Sequence, residues 1–281
     1  MQGQGRDQRT RTSGLLNIPA SVKLSHVPDP DTKIIFLGTG NAFNTDGRAS
    51  QSIWVEPEGG APFLVDAGPT ALASMNRYGV NPDALEQVFI THLHGDHIAG
   101  WPFLLLHSLF LARRARPLKV FGPEGMKQRL ERLASSCYEE LVSDGSLAFE
   151  IDYHELAVTE TSGVDAGSGI LLDVVPLDHH PTSIGYRFHV AGSTIGVSGD
   201  TRWCPGLEKL AKGCDLLILE CTCLEKPEFA HVSLKEVRDG LDRLEAKRLA
   251  LVHLSDDVAR ALAQKPIPDV IAAEDGMILK V

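Results

Sequence analysis

The chain lacks a surplus of positive charge: 27 Lys and Arg stand against 37 Asp and Glu, a formal net charge of −10 over 281 residues. That balance disfavours a broad basic surface for gripping nucleic acid. Two bound divalent cations would still restore positive charge at the one place where a phosphate must sit. Long apolar runs are also missing. Stretches such as Phe103 to Leu106 fall far short of the roughly 20 residues that cross a bilayer, so no membrane span is expected. Residues 1 to about 30 are dominated by Gln, Gly, Arg, Thr and Ser, with Leu15 and Leu16 the only apolar pair before Val22. The apolar stretch of roughly 7 to 15 residues that a signal peptide requires is absent, so a flexible tail on a cytoplasmic protein is expected. The five cysteines, Cys137, Cys204, Cys214, Cys221 and Cys223, contain no CxxC pair and fit no disulfide framework. Cys221 and Cys223, at alternate positions of an expected strand, read as buried free thiols.

What is present is the composition of an ordinary globular protein, 43% hydrophobic and 23% charged with 26 Gly and 16 Pro. The length allows one large α/β domain or two smaller ones. Strand patterns run over Lys33 to Leu37, Ser52 to Val55, Phe63 to Val65 and Val88 to Thr91, with a helix over Pro69 to Tyr78. A helix over Ala99 to Arg114 follows, its basic end at Arg113, Arg114 and Arg116 read as serving the helix C-terminal carbonyls rather than a phosphate. A strand at Lys119 to Phe121 and an amphipathic helix over Glu124 to Leu141 come next. Further strands are expected over Ala148 to Leu156, Ile170 to Leu177, Ile184 to Val190, Thr194 to Val197, Leu216 to Leu219 and Leu249 to His253, with helices at Gly206 to Lys212 and Leu234 to Leu244. Two β-rich halves, each with helices, predict two sheets packed face to face with helices outside, in one domain over residues 31–281.

Directly after the run Val88 to Thr91 stand His92, Leu93, His94, Gly95, Asp96 and His97, the densest set of metal-ligand types in the chain. Side chains at i and i+2 of an extended segment point the same way, so His92 and His94 can converge on one cation. Gly95 permits a sharp turn that redirects Asp96 and His97 toward a second. Imidazole with carboxylate suits zinc, and also iron or manganese. Three more candidates end apolar strands: His179, Asp200 and His253. His107, His154 and His189 have no ligand spacing and read as packing or surface residues.

The order HxHxDH, then His, then Asp in Gly199-Asp200-Thr201, then His253 resembles the metallo-β-lactamase superfamily. Phe36-Leu37-Gly38-Thr39-Gly40, Val65-Asp66-Ala67-Gly68, Pro176-Leu177-Asp178-His179, Gly185-Tyr186-Arg187 and Glu220-Cys221-Thr222 point to its ribonuclease Z-like branch. The resemblance covers roughly residues 33–281 and implies an α/β fold, a four-layer αββα sandwich. It implies that His92, His94 and His179 hold one divalent metal, that Asp96, His97 and His253 hold the other, and that Asp200 bridges. His180 competes with His179, and the Pro-Leu-Asp-His register favours His179. Asp96 is also assigned to the catalytic centre, and Asp66 supports the ligand loop from behind. His231 matches a histidine beside the site that binds no metal and acts as general acid or phosphate contact; the other reading is that it caps the helix starting near Ser233. Redox di-iron relatives carry a carboxylate where this chain has His94, so the resemblance implies hydrolysis. Two cations can share and deprotonate a water and neutralise the oxygens of a phosphoryl group.

Ribonuclease Z proper inserts a long tRNA-gripping arm between the third-histidine region and the bridging aspartate. Here His179 and Asp200 are joined by two ordinary strands and a turn at Gly192, which leaves no room for it. A small or cyclic phosphodiester is therefore the expected substrate. Ribonuclease Z-type tRNA 3′ cleavage and lactone, thioester or sulfate-ester hydrolysis are the alternatives, and a non-catalytic binding module is disfavoured because no ligand is lost. Family members are often dimers, so a homodimer is compatible with the resemblance.

Overall fold

Strands that are apolar at consecutive positions are covered on both faces. In β1 (Lys33–Gly38), Ile34 and Phe36 enter one core while Ile35 and Leu37 enter another. The computed structural model describes residues 32–141, 148–226 and 229–281; the tail expected over the first 30 or so residues lies outside them. After β1 come β2 (Ser52–Glu56), β3 (Phe63–Val65), α1 (Ala71–Arg77), β4 (Gln87–Phe89), α2 (Gly95–Ile98), α3 (Trp101–Leu106), β5 (Leu118–Pro123), α4 (Met126–Cys137) and β6 (Ile151–Leu156). The second half runs β7 (Thr161–Gly167), β8 (Ile170–Pro176), β9 (Ile184–Val190), β10 (Ser193–Val197), α5 (Pro205–Ala211), β11 (Leu216–Glu220), α6 (Leu234–Gly240), β12 (Leu249–Val252), α7 (Asp256–Gln264) and β13 (Val270–Ala272). The last strand, β14 (Ile278–Lys280), crosses back to pair with β1.

Two seven-stranded sheets result, in the orders β14-β1-β2-β3-β4-β5-β6 and β13-β12-β11-β10-β9-β8-β7. Their facing sides share one core that includes Phe63, Phe89, Phe188 and Tyr186. The outer side of the first sheet packs on α1, α3 and α4, and that of the second on α5, α6 and α7. This is the expected four-layer αββα sandwich. Burying a Phe or Ile side chain contributes about 1.5–3 kcal/mol, so the central core is the main tie between the sheets. Phe89 stacks on Phe121 at 5.0 Å between centroids and meets Phe188 edge-on at 4.9 Å across the sheet interface. The Tyr186 hydroxyl donates to Ile90 O at 2.8 Å, and Ile184 N donates to Thr91 O. The second sheet thus fixes the backbone that leads into His92.

Three expectations change. The helix over Ala99 to Arg114 divides into α3 and a π-helical turn at His107–Leu111. Arg114 does not serve its own helix end: its buried guanidinium donates to the carbonyls of Leu85, Arg116 and Pro117, pinning the loop before β5. β7 was not expected; it is polar and glycine-containing because it is an edge strand with only Ala166 buried. No helix among the described residues is long and apolar enough to cross a membrane.

Candidate metal centre

Parallel pairing of β3 through β6, and of β10 through β13, aims the carboxyl ends of both sets at one rim. In α/β sheets that rim is where ligands bind. Asp66 follows β3, His92 follows β4, His179 follows β8, Asp200 follows β10, Glu220 ends β11 and His253 follows β12. The sharp redirection after His94 is made by the single-turn α2 rather than by left-handed backbone at Gly95, and His94 precedes its first residue. The left-handed positions are Asp66 (φ 60°), Gly199 (φ 58°) and His253 (φ 56°). Such backbone is costly for a side-chain-bearing residue and clusters at functional sites. At Gly199 a Cβ would also stand 2.5 Å from Thr91 Cβ.

The side chains converge as two groups that share Asp200. His92, His94, His179 and Asp200 form one; Asp96, His97, Asp200 and His253 form the other, with the candidate ligand atoms of each group within 4.8 Å of one another. Asp200 divides its oxygens between them. Oδ2 lies 3.8 Å from His92 Nε2 and 3.7 Å from His179 Nε2. Oδ1 lies 3.2 Å from His97 Nε2 and 3.5 Å from His253 Nε2. Asp96 Oδ2 is 3.4 Å from His97 Nε2 and 3.2 Å from His253 Nε2. Ligand atoms about 2.1 Å from a tetrahedral cation stand about 3.4 Å apart, so these separations are edges of metal-sized polyhedra.

A second observation concerns the ring protons. His97 Nδ1 donates to Asp66 at 2.7 Å, His179 Nδ1 to Ala230 O at 2.6 Å, and His253 Nδ1 to Thr222 Oγ1 at 2.8 Å. His92 Nδ1 stands 3.2 Å from Thr91 Oγ1, whose proton goes to Asp66. Thr222 Oγ1 likewise gives its proton to Glu220 and is left to accept from His253. A neutral ring whose Nδ1 carries the proton turns its Nε2 lone pair to the centre, where His253 Nε2 meets Asp96 Oδ2 at 3.2 Å and His179 Nε2 meets His94 Nδ1 at 3.0 Å. The buried Nε2 atoms of His92 and His97 and Oδ1 of Asp200 make no hydrogen bond. Buried polar atoms without partners are costly, which suits a site built to hold cations.

Electrostatics agree. Burial pulls the pKa of His92, His94 and His179 below the ordinary histidine value, keeping the rings neutral as ligation requires. At His97 burial works the same way but is outweighed by Asp200 and Asp66, which push the pKa up. The same negative charge that favours a proton there favours a metal. Asp96 and Asp200 are desolvated, yet the surrounding histidines hold both below the usual carboxylate range.

His231 lies against both groups, its ring 4.7 Å from that of His179 and 5.5 Å from that of His253, with Nδ1 bonded to Glu220 Oε1 at 2.7 Å and 3.9 Å from Asp200 Oδ2. It does not cap the helix: Ser233 accepts from Glu236 N, and Glu236 answers Ser233 N in a capping box. Burial would lower the His231 pKa, but hydrogen bonding and attraction to Glu220 raise it. Glu220 stood in the sequence only as part of the Glu220-Cys221-Thr222 motif, with no role assigned. Fully buried, it accepts from Thr201 N, Thr222 and His231, and the available sign was a carboxylate closing the otherwise apolar run Leu216–Glu220. Thr91 and Thr222, which orient candidate ligand histidines, likewise had no role assigned from sequence.

His180 stays outside the groups, its Nδ1 bonded to Thr182. His107, His154 and His189 pair with Asp83, Asp152 and Asp173, away from the rim. Cys221 is buried, but β11 ends before it and Cys223 is only partly buried, so the two are not alternate strand positions; the five cysteines are free. Asp66→Ala removes the acceptor of His97 and of both Thr91 donors, the backbone N and Oγ1. Metal affinity is expected to fall about 10–100-fold, read by competition with a chelator, with far-ultraviolet circular dichroism verifying the fold.

A model of the family described as anti-Pycsar protein Apyc1 matches residues 32–271. The chain belongs to that family. Among curated relatives of this anti-Pycsar-family protein, the ribonuclease Z of Anoxybacillus flavithermus is 28% identical over 271 residues, covering 79% of this chain and 86% of the relative. The human short-form tRNase Z superposes with a TM-score of 0.71 at 26% identity, covering 88% of this chain and 98% of that one. A diphosphatase of the PhnP family shares the fold, with a TM-score of 0.70 at 21% identity over 89% and 98% of the two chains. The protein is a metallo-β-lactamase-fold hydrolase of the ribonuclease Z-like branch.

Proposed function

We propose that this chain is a binuclear metal-dependent phosphodiesterase acting on a small or cyclic phosphodiester. The observation that supports the reading is the division of the Asp200 oxygens between two candidate ligand groups, with the inward Nε2 atoms of His92 and His97 buried and without hydrogen bonds. His92, His94, His179 and Asp200 would hold one divalent cation, and Asp96, His97, His253 and Asp200 the other, with zinc the first choice and manganese or iron also compatible with the donors. When bound, such a pair supplies a water-derived nucleophile near neutral pH and offsets charge on the phosphoryl oxygens. Asp66, Thr91, Thr222 and the Ala230 carbonyl keep the rings aimed. His231, protonated and held by Glu220 through Nδ1, can offer its Nε2 proton to the departing oxygen.

Substrate size is argued from the connection between His179 and Asp200. It is filled by the antiparallel pair β9 and β10 with the turn Ala191–Gly192 between them, so no tRNA-gripping arm emerges there. A folded RNA also needs many phosphate contacts, which a chain of net charge −10 is poorly furnished to give. The ribonuclease Z relatives favour one second reading, tRNA 3′ cleavage.

Elemental analysis after zinc or manganese loading is expected to give about two equivalents of metal per chain. The same preparation should hydrolyse bis(p-nitrophenyl) phosphate and cyclic nucleotides faster than a lactone or precursor tRNA. Chelator treatment should abolish turnover, and re-addition of metal should restore it. Metal below one equivalent removes the binuclear reading, and preference for precursor tRNA replaces the small substrate with the second reading.

A further inference from the structure

Beside the metal centre lies an open cavity of about 450 Å³. Thr222, the acceptor for His253 Nδ1, lines it, as does Phe229, whose ring meets the His231 ring edge-on at 5.5 Å. Its rim carries Phe43, 81% exposed, and Phe229, 60% exposed, with Leu224 at 40%. Large apolar side chains grouped in solvent beside a functional centre mark a binding surface.

Phe43 is not left out by a slack loop. Asn41 Oδ1 accepts from Phe43 N, and Asn44 Nδ2 donates to Arg48 O and Ser50 Oγ at 2.9 Å. The far end of the loop is held where Ala49 N donates to Asp275 Oδ2 at 2.6 Å. Asn44 and Asp46 take left-handed backbone, the conformation Asn and Asp accept most readily. A braced loop that holds a Phe in water costs solvation without gaining packing, and a ligand would recover that cost.

The charge on the cavity wall narrows the ligand. Asp256 and Asp257 line it, and its cation, Arg260, is paired with Asp257. Asp256 Oδ1 is buried and makes no hydrogen bond. A second phosphate or carboxylate would be repelled, whereas an uncharged ring, or one offering N–H groups, would be tolerated.

Resting on the phosphodiesterase reading, we propose that Phe43 and Phe229 are specificity-determining residues that bind a planar, uncharged aromatic group carried by the diester. With the phosphate on the metals, that group lies against Phe43 and Phe229, and flat rings gain most from such contact. Aryl and nucleoside diesters are thereby favoured over alkyl ones, and substrates with a second anionic group are disfavoured.

The test compares diphenyl phosphate with dimethyl phosphate, by titration calorimetry on metal-loaded protein, for the parent, Phe43→Ala, Phe229→Ala and the double variant. The parent is expected to bind diphenyl phosphate at least about tenfold more tightly, the scale of aromatic contacts. The double variant should bring the two ligands within about twofold at unchanged metal content, and Phe43→Trp should retain the preference. A preference that survives in the double variant overturns the assignment, as does a parent without preference. Binding is read from the initial injection heats and cleavage is followed separately as released phenol, so a parent that shows the aryl preference but cleaves no diester refutes the phosphodiesterase reading while leaving the cavity's ligand class standing.

Discussion

Asp200→Ala should abolish diester hydrolysis and reduce metal content in both halves of the centre together. Each Asp200 oxygen faces a different ligand group, Oδ2 toward His92 and His179 and Oδ1 toward His97 and His253. Loss of one carboxylate therefore removes a donor from both polyhedra. It also removes the negative charge that would draw a cation in among these histidines. Turnover below about one part in a thousand of the parent corresponds to about 4 kcal/mol of barrier. His94→Ala is the informative contrast. His94 belongs to one group and is exposed, so its loss should weaken one metal and spare the other. Elemental analysis at stepwise chelator concentrations reads both variants. Equal, single-equivalent losses for Asp200→Ala and His94→Ala would show that Asp200 does not bridge.

The residues that converge at the rim were legible in the sequence because their chemistry is local: imidazoles and carboxylates at the tips of apolar runs. His179, Asp200 and His253 each close such a run, and their meeting at one rim follows from parallel strands feeding one edge. The partners that aim the rings were less legible. Thr91 and Thr222 are ordinary strand-end threonines until their hydroxyls are seen against His92 and His253, and Ala230 contributes only a carbonyl. Most central strands were readable, since a strand covered on both faces is almost wholly apolar. β7 was not, because an edge strand needs little apolar surface. β14, three residues long and half exposed, owes its existence to pairing with β1. α7 escaped notice although Ser255 caps it and Asp256 and Asp257 occupy its first turn. Phe43 and Phe229 could not be connected from sequence, since long chain separation hides their shared cavity.

His231→Ala should slow the enzyme by an amount set by the leaving group while leaving bound metal near the parental level. A leaving alkoxide needs a proton as the bond to phosphorus breaks, and positioned general acids typically contribute about 10²–10⁴-fold. A p-nitrophenolate leaves without that help. The variant should therefore lose at least about a hundredfold in kcat on alkyl or cyclic nucleotide diesters, and far less on bis(p-nitrophenyl) phosphate. The pH profile carries the same signature. Glu220 raises the His231 pKa against the effect of burial, so the acid form persists to higher pH than in an ordinary histidine and is lost as pH rises through that raised value. In the parent, kcat for an alkyl diester should fall on that alkaline limb; in His231→Ala the limb should vanish. Glu220→Gln removes the charge that raises the pKa and should move the limb to lower pH without erasing it. A uniform loss across all leaving groups accompanied by loss of metal would instead place His231 among the ligands, in the group it forms with Glu220 and His253.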